Sequence, residues 1–546
     1  MGTPVKWQTE FLVNTTTIGD QRNPKITSLV DGGFVITWQD NTGLLAQDFK
    51  SDGSKDGVEY QVNTTNSGDI ENSSITSFSD GRFAACWIDT NNPFNPNKTN
   101  REVQIQLFNW DGTPSGVEVL VNAPANGVRF DPQITALKND GFVVTWTKEI
   151  VAGFPGSTAL VSKVFNAAGV AITGEVMVSY PAPNISREIL PGVTALANGG
   201  YLVSWTALDV AGDGIYGRMF DNTGAAAGSA FLLNSRTING QSDTVVTALE
   251  GGGFVATWVD SLQPPGFGFG TEIRAQVFDA SGMLLGNEFV ANTTTGRDQI
   301  DPCITALQDG RFIVAWTDDS LTPGDIDLTA IRAQVFNADG SISGVEFVVN
   351  TLTSRNQTNP EVTELADGRI VLTWLNDSAT GGDTSGTSIR AQIFDPREAA
   401  VNLLGSKFGD DFVGTLFADT LKGAAGADKL DGYGGADRLL GGAGADTLIG
   451  GTGNDVLIGN GGNDLLSGSV GRDRFVFAIG GRRDVVADFE NGLDKIVLTA
   501  FNFASFADAQ AMFSEVGPDL KFTFGSDELT LRATTFANLT VDDLIL

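Results

Sequence analysis

The chain has 546 residues, with 34 basic against 66 acidic side chains and a net charge of -32. A surplus of that size repels nucleic acid and anionic membrane surfaces, so binding to either is not expected, and no membrane insertion is expected where no long apolar segment exists. Histidine is absent, which removes His-containing triads, His-ligated zinc and imidazole acid–base catalysis.

The N-terminal stretch MGTPVKWQTEFLVN lacks a basic segment followed by an apolar one, so no Sec-type signal peptide is expected. No apolar run reaches transmembrane length. Residues 1–398 carry a long internal repeat. A phrase such as DPQITALKNDGFVVTW (131–146) recurs seven times, ending on Trp38, Trp87, Trp146, Trp205, Trp258, Trp316 and Trp374, at spacings of 49 to 59 residues. After each Trp come a variable loop, a phrase such as IRAQVF (273–278), a turn, and a strand such as GVEFVVN (344–350). Four short strands per unit with tight Asp-Gly turns predict an all-β, seven-bladed β-propeller.

Ring closure is legible at the ends. The seventh unit runs to Phe394 and lacks its last strand, while Glu10-Phe11-Leu12-Val13-Asn14 stands alone at the start of the chain. An open array of repeats has no reason to divide one unit between its two ends. The tryptophans and a ring of first-strand threonines (Thr27, Thr76, Thr135, Thr194, Thr247, Thr305, Thr363) read as architecture, because sevenfold repetition supplies no catalytic asymmetry. Cys86 and Cys303, far apart and in apolar patterns, read as core.

Asymmetry lies in the loops after each Trp, where 11 to 21 residues separate it from the Phe ending the third strand. Phe94, Phe154, Phe267 and Phe269 sit there among Gly, Pro and Asn, as candidates for a platform that stacks on sugar rings or as anchors tucked beneath their loops. The acidic loops 318–327 and 376–386 read either as solvated surface or as further Ca²⁺ sites. Asp131 and Asp301, each before a proline at the start of a first strand, are expected at the channel mouth, where a glycosidase would need paired carboxyls.

From Gly405 to Val476 the sequence reads as eight nine-residue units. Each opens on glycine and carries an aspartate at its sixth position: Asp410, Asp419, Asp428, Asp437, Asp446, Asp455, Asp464 and Asp473. Two residues later comes a large apolar residue, from Phe412 through Leu421 and its successors to Phe475. A flexible Gly/Asp linker has no reason to hold that register. Each unit supplies one turn and one short strand, so like turns stack every second unit, about 4.8 Å apart, in a parallel β-roll (399–476). A hard cation seeking six or more oxygens finds carbonyls and carboxylates on two stacked turns, which predicts several Ca²⁺ ions, up to six, in gaps pairing Asp410 with Asp428 through to Asp455 with Asp473. Units one and two carry Phe408 and Phe417 in place of the fourth-position glycine, so sites built on those turns are expected to be weak or empty.

This segment resembles the RTX repeats of secreted bacterial proteins, GGAGADTLIGGTGNDVLIGNGGNDLL (441–466) following the family motif closely. The resemblance implies export from a Gram-negative cell by a type I secretion apparatus and folding on Ca²⁺ outside it, secreted or at the cell surface. In the third region, 477–546, DVVADFENGLDKIVL (484–498) is similar to the segment that caps the roll in serralysin-type proteins. There SFADAQAMFSEV (505–516) reads as a short amphipathic helix and FTFGSDELTLR (522–532) as a hairpin. The acidic-then-apolar end, Val541 to Leu546, is similar to an uncleaved type I secretion signal. Two functional classes follow for the propeller: a binding module for glycan, cell surface or matrix, which the loop variation favours, and an extracellular polysaccharide hydrolase or lyase.

Overall fold

A computed structural model describes residues 2–546 other than 65–69, 91–100, 124–127, 150–157, 180–187, 210–211, 263–269, 323–326, 380 and 384. The chain forms two compact units, one of Met1–Leu29, Phe34–Phe49 and Gly53–Pro396, the other of Val30–Gly33, Lys50–Asp52 and Arg397–Leu546.

The first unit is the seven-bladed propeller: six four-stranded antiparallel sheets and one split between the two ends of the sequence. Blade three shows why these residues form a blade. Strand Phe142–Glu149 is an apolar run buried on both faces over its first six residues, as a central strand must be. It is joined to Arg129–Ala136 by a tight turn in which Leu137 N–H bonds Gly141 O (2.8 Å) and Asp140 takes φ +60°. The aromatic that opens the second strand stacks on the one ending the third, as in Phe142–Phe165, Phe254–Phe278 and Phe83–Phe108, with centroids 4.9, 4.6 and 4.8 Å apart. The seven tryptophans are at most 2% exposed and pack between blades, Trp146 sharing a cluster with Cys86, Val103 and Ile105 of the blade before. Both cysteines are buried and free.

The predicted closure is present. Phe11–Leu12 pairs with Ala391 and Arg390, and Val5–Lys6 pairs with Asp395 and Phe394. Two side chains repeat around the ring to hold neighbours. An Asn ending the outer strand accepts from the third strand, as Asn14 does from Ile389 N (3.0 Å) and Asn292 from Ile273 N (2.8 Å). An outer-strand Glu accepts from successive groups of the adjacent blade: Glu10 takes Thr351 N, Thr351 Oγ1 and Leu352 N at 2.6, 2.8 and 3.1 Å. The threonine ring is likewise structural, Thr76 Oγ1 accepting from Ala136 N (3.0 Å) and Thr194 Oγ1 from Ala248 N (3.1 Å) of the next blade.

The second unit is a parallel β-solenoid of two sheets, whose strands pair in registers of 18 residues, Leu421 with Leu439 and Leu430 with Leu448. The inward apolar residues, Phe412 to Phe475, are at most 2% exposed. The sheets run on beyond the nonapeptides. Arg483–Val486 continues one sheet from Leu465–Gly471, Lys495–Val497 continues the other from Arg474–Val476, and Asp527–Leu531 and Leu544–Ile545 add further parallel strands. The hairpin forms from Asp519–Phe524 and Asp527–Leu531. The helix is shorter than its pattern: Phe506–Gln510 is helical, capped by Ser505, and Phe513–Val516 is instead a strand on Asp519–Phe524. Phe513 is drawn into the cluster of Phe522, Phe501 and Phe477, and this tertiary packing overrides helical propensity.

Candidate metal centre

All eight repeat aspartates are at most 2% exposed, and they form two ladders. The N–H of each donates to Oδ1 of the Asp one coil later, Asp410 to Asp428 at 2.9 Å, Asp437 to Asp455 at 2.8 Å and Asp455 to Asp473 at 2.9 Å. One carboxylate oxygen of each upper Asp is thereby satisfied. The other divides the units into two groups. In Asp428, Asp437, Asp446, Asp455, Asp464 and Asp473, Oδ2 is buried with no hydrogen-bond donor, whereas in Asp410 it accepts from Ser406 N (2.7 Å) and in Asp419 from Thr415 N (2.5 Å).

The cause is the backbone at the second position of each unit. Ala424, Tyr433, Gly442, Gly451, Asn460 and Ser469 all have positive φ, whereas Ser406 and Thr415 do not. In the left-handed conformation the amide turns away from the following Asp, leaving a buried carboxylate oxygen without a donor; otherwise the N–H caps it, joined in Asp419 by the Thr415 hydroxyl, while the Ser406 hydroxyl donates to Asp410 Oδ1. A buried anionic oxygen costs several kcal/mol unless compensated. Burial pushes up carboxyls of both groups, those of the capped Asp410 and of Asp428 to about 6 and those of Asp437 and Asp473 to about 7.

Carbonyls complete the donor set. A Cβ on Gly450 would meet Asp455 Oδ2 at 2.5 Å and Gly468 O of the following coil at 2.8 Å, and one on Gly432 would meet Asp437 Oδ2 and Gly450 O, both at 2.5 Å. At the fourth position a Cβ on Gly453 would overlap Gly435 O, whose carbonyl carbon is 2.5 Å away. Glycine there lets the carbonyls of one coil stand against the next. Among the described residues no three Asp, Glu or Cys side chains converge on one point, so the donors are orphaned carboxylates and main-chain oxygens. Oxygen donors of this kind, rich in carbonyls, fit Ca²⁺.

The fourth-position phenylalanines find their explanation here. The carbonyls of Phe408 and Phe417 face Gly426 and Gly435 of the next coil, but these two units are the first of their ladders, so no repeat unit's carbonyl faces them. The glycine requirement begins with the third unit. What sets the first two turns apart is therefore the Ser406 and Thr415 caps, which the nonapeptide pattern does not announce: Ser469, a hydroxyl residue at the same position, takes positive φ and leaves Asp473 Oδ2 without a donor.

The propeller's axis holds a second candidate site, a cavity of about 480 Å³ lined by the first strands of all seven blades. Each first strand carries a bulge whose leading residue has positive φ: Asn23, Asn72, Asp131, Leu190, Asp243, Asp301 and Asn359. The structure thus places Asp131 and Asp301 on the cavity and adds Asp243, which no proline follows. Asp131 accepts from Asn72 Nδ2 (2.7 Å) and Asp301 from Thr317 Oγ1 (3.1 Å), and burial raises the carboxyls of Asp243 and Asp301. Lys25 and Glu361, which also line the cavity, form an ion pair. Phe94, Phe154, Phe267 and Phe269 lie outside the described residues. In the acidic loops, Asp318 is bound to Arg332 and Ser320, and Asp383 to Asn14 and Ser385, so internal donors already engage these carboxylates.

Residues 405–439, 413–448 and 440–475 match the model of the RTX calcium-binding nonapeptide repeat. The roll is thus built on RTX calcium-binding repeats. No curated protein matches the chain. Among solved structures it is similar to an ulvan lyase of a new polysaccharide lyase family bound to -[GlcA(1-4)Rha3S]- (9% identity, 72% of this chain and 96% of that one, TM-score 0.44). It is also similar to an α-L-arabinanase of Penicillium chrysogenum complexed with arabinobiose (13%, 72% and 98%, 0.40). A third is a protein of unknown function from Dyadobacter fermentans (13%, 73% and 100%, 0.43). At these identities and scores the likeness assigns no activity.

Proposed function

We propose that this is an exported calcium-dependent binding protein, whose roll folds on extracellular Ca²⁺ and whose propeller binds a glycan, cell-surface or matrix polymer. The observation that carries the first half is the set of six buried carboxylate oxygens without donors. In a calcium-poor cytosol these groups oppose stacking of the turns, and the chain stays extended for passage through a type I exporter. Outside, bound Ca²⁺ supplies the positive charge the carboxylates lack, and binding free energy becomes folding free energy.

The binding half rests on the variable loops carrying Phe94, Phe154, Phe267 and Phe269, in a propeller whose repeated residues are architectural. A glycan array run in millimolar Ca²⁺ and again in chelator tests it: calcium-dependent binding to one sugar class supports the reading, and silence in both conditions overturns it. A second reading, polysaccharide hydrolysis or lysis, is favoured by Asp131, Asp243 and Asp301 around one cavity with two of the three carboxyls raised by burial. Release of oligosaccharide from a polymer, lost in Asp301→Asn, would decide for it.

A further inference from the structure

The nonapeptide motif ends with Asp473, but the ladder bonds do not. In every coil the residue after the ladder Asp donates its N–H to the Asp O one coil earlier, as Lys429 does to Asp410 (2.7 Å) and Arg474 to Asp455 (2.8 Å). The series continues unchanged with Val485 to Asp464 and Lys495 to Asp473, both at 2.8 Å. The side-chain ladder continues as well, Asp464 N–H donating to Asp484 Oδ1 (3.1 Å) and Asp473 N–H to Asp494 Oδ1 (3.0 Å). Asp484 and Asp494 therefore stand where a ninth and tenth repeat aspartate would stand, although the turns leading to them are longer. Both are at most 3% exposed.

The side on which each orphaned oxygen lies decides which coils share a cation. From Gly405 to Gly450, a Cβ on the first glycine of a unit would touch that unit's own Asp Oδ2 together with the glycine carbonyl of the following coil, as at Gly432 and Gly450, and at Gly459 and Gly468 it would meet the Oδ2 of Asp464 and Asp473 at 2.2 and 2.3 Å. The orphaned oxygen thus belongs to the gap with the coil that follows, not the one that precedes. The gaps above Asp410 and Asp419 are closed by the Ser406 and Thr415 caps. Those above Asp464 and Asp473 are not, since both carry a buried Oδ2 without a donor. Asp494 ends its ladder by the device that opens it, its Oδ2 accepting from Glu490 N (2.8 Å).

We propose that the calcium array is displaced one coil toward the C-terminus relative to the repeat motif. Its last two sites lie between Asp464 and Asp484 and between Asp473 and Asp494, and none lies above Asp410 or Asp419. This rests on the calcium reading of the roll.

The test counts ions bound to the full-length protein after equilibrium dialysis against Ca²⁺, by atomic emission, with circular dichroism reporting the fold of the same samples. Asp464→Asn with Asp473→Asn is expected to remove two of the six ions, and Asp410→Asn with Asp419→Asn to remove none. The reverse pattern, or no loss from either pair, overturns the placement while leaving calcium binding standing. Loss of ions from the Asp410/Asp419 pair does so even if the other pair fails to fold. Wild-type protein that binds no calcium overturns instead the reading on which the placement rests.

Discussion

Substituting Gly453 by alanine tests whether the roll holds its carbonyls against the next coil as described. The new Cβ would overlap Gly435 O, at a residue whose φ is +150°. Relief requires the two coils to separate where Gly435 N bonds Thr452 O (2.8 Å) and Thr452 N bonds Tyr433 O (3.2 Å). Two weakened main-chain bonds at about 1 kcal/mol each, with about 2 kcal/mol of overpacking, give a loss of about 4 kcal/mol. Because folding and binding are one equilibrium, that loss is shared among the ions taken up. If six ions bind together, the Ca²⁺ midpoint rises about threefold; if folding needed a single ion, it would rise on the order of a thousandfold. A calcium titration followed by far-ultraviolet circular dichroism reads both midpoint and steepness. Phe408→Gly serves as the control and should leave the midpoint in place, since no repeat unit precedes it in its ladder. An unshifted midpoint in Gly453→Ala would refute the close approach of the stacked carbonyls.

Acidity should act on the roll in two opposed ways. Without calcium, Asp428, Asp437 and Asp473 titrate near 6 to 7 when folded and near about 4 when unfolded, so the folded apo roll holds more protons between those values. Apo stability therefore falls as pH rises through that window, and β signal without calcium should be greater at pH about 5 than at pH about 8. Calcium needs the deprotonated carboxylates, so its midpoint concentration should rise as pH falls below about 7; a pH-independent midpoint would show that the orphaned carboxylates are not ligands. In the propeller, Glu10→Ala removes three hydrogen bonds at the ring closure and should lower stability to urea by about 2 kcal/mol in saturating Ca²⁺. Unchanged unfolding would mean that the short strand pairs alone fasten the ring.

Much of the fold was legible because it is repeated. Seven repeated phrases ending on Trp and a solitary EFLVN announce a closed ring, and aspartates nine residues apart announce a roll, since period and burial are coupled wherever a strand is buried. The channel ring was half legible. Asp131 and Asp301 are marked by the following proline, but Asp243 precedes Thr244, and only its φ places it in the same ring. The helix after residue 505 was over-read because Phe513 satisfies a helical pattern and a strand pattern equally, and the aromatic cluster it joins comes from residues distant in sequence.

The nonapeptide motif records what a coil needs from its neighbours more than where a cation sits. Glycine at position four is required only where an earlier coil's carbonyl points at it, which is why Phe408 and Phe417 stand in the first two units without disturbing the ladder. The aspartate, by contrast, does two tasks: Oδ1 secures the coil before, and Oδ2 faces the coil after. The first persists wherever coils stack, and it carries Asp484 and Asp494 into register after the glycine pattern has lapsed. The second depends on whether the amide four residues earlier is turned away, a backbone property that Ser406, Thr415 and Glu490 lack and Ala424 to Ser469 possess. Repeat count and site count are therefore set by different residues, and the two need not coincide in position even where they agree closely in number.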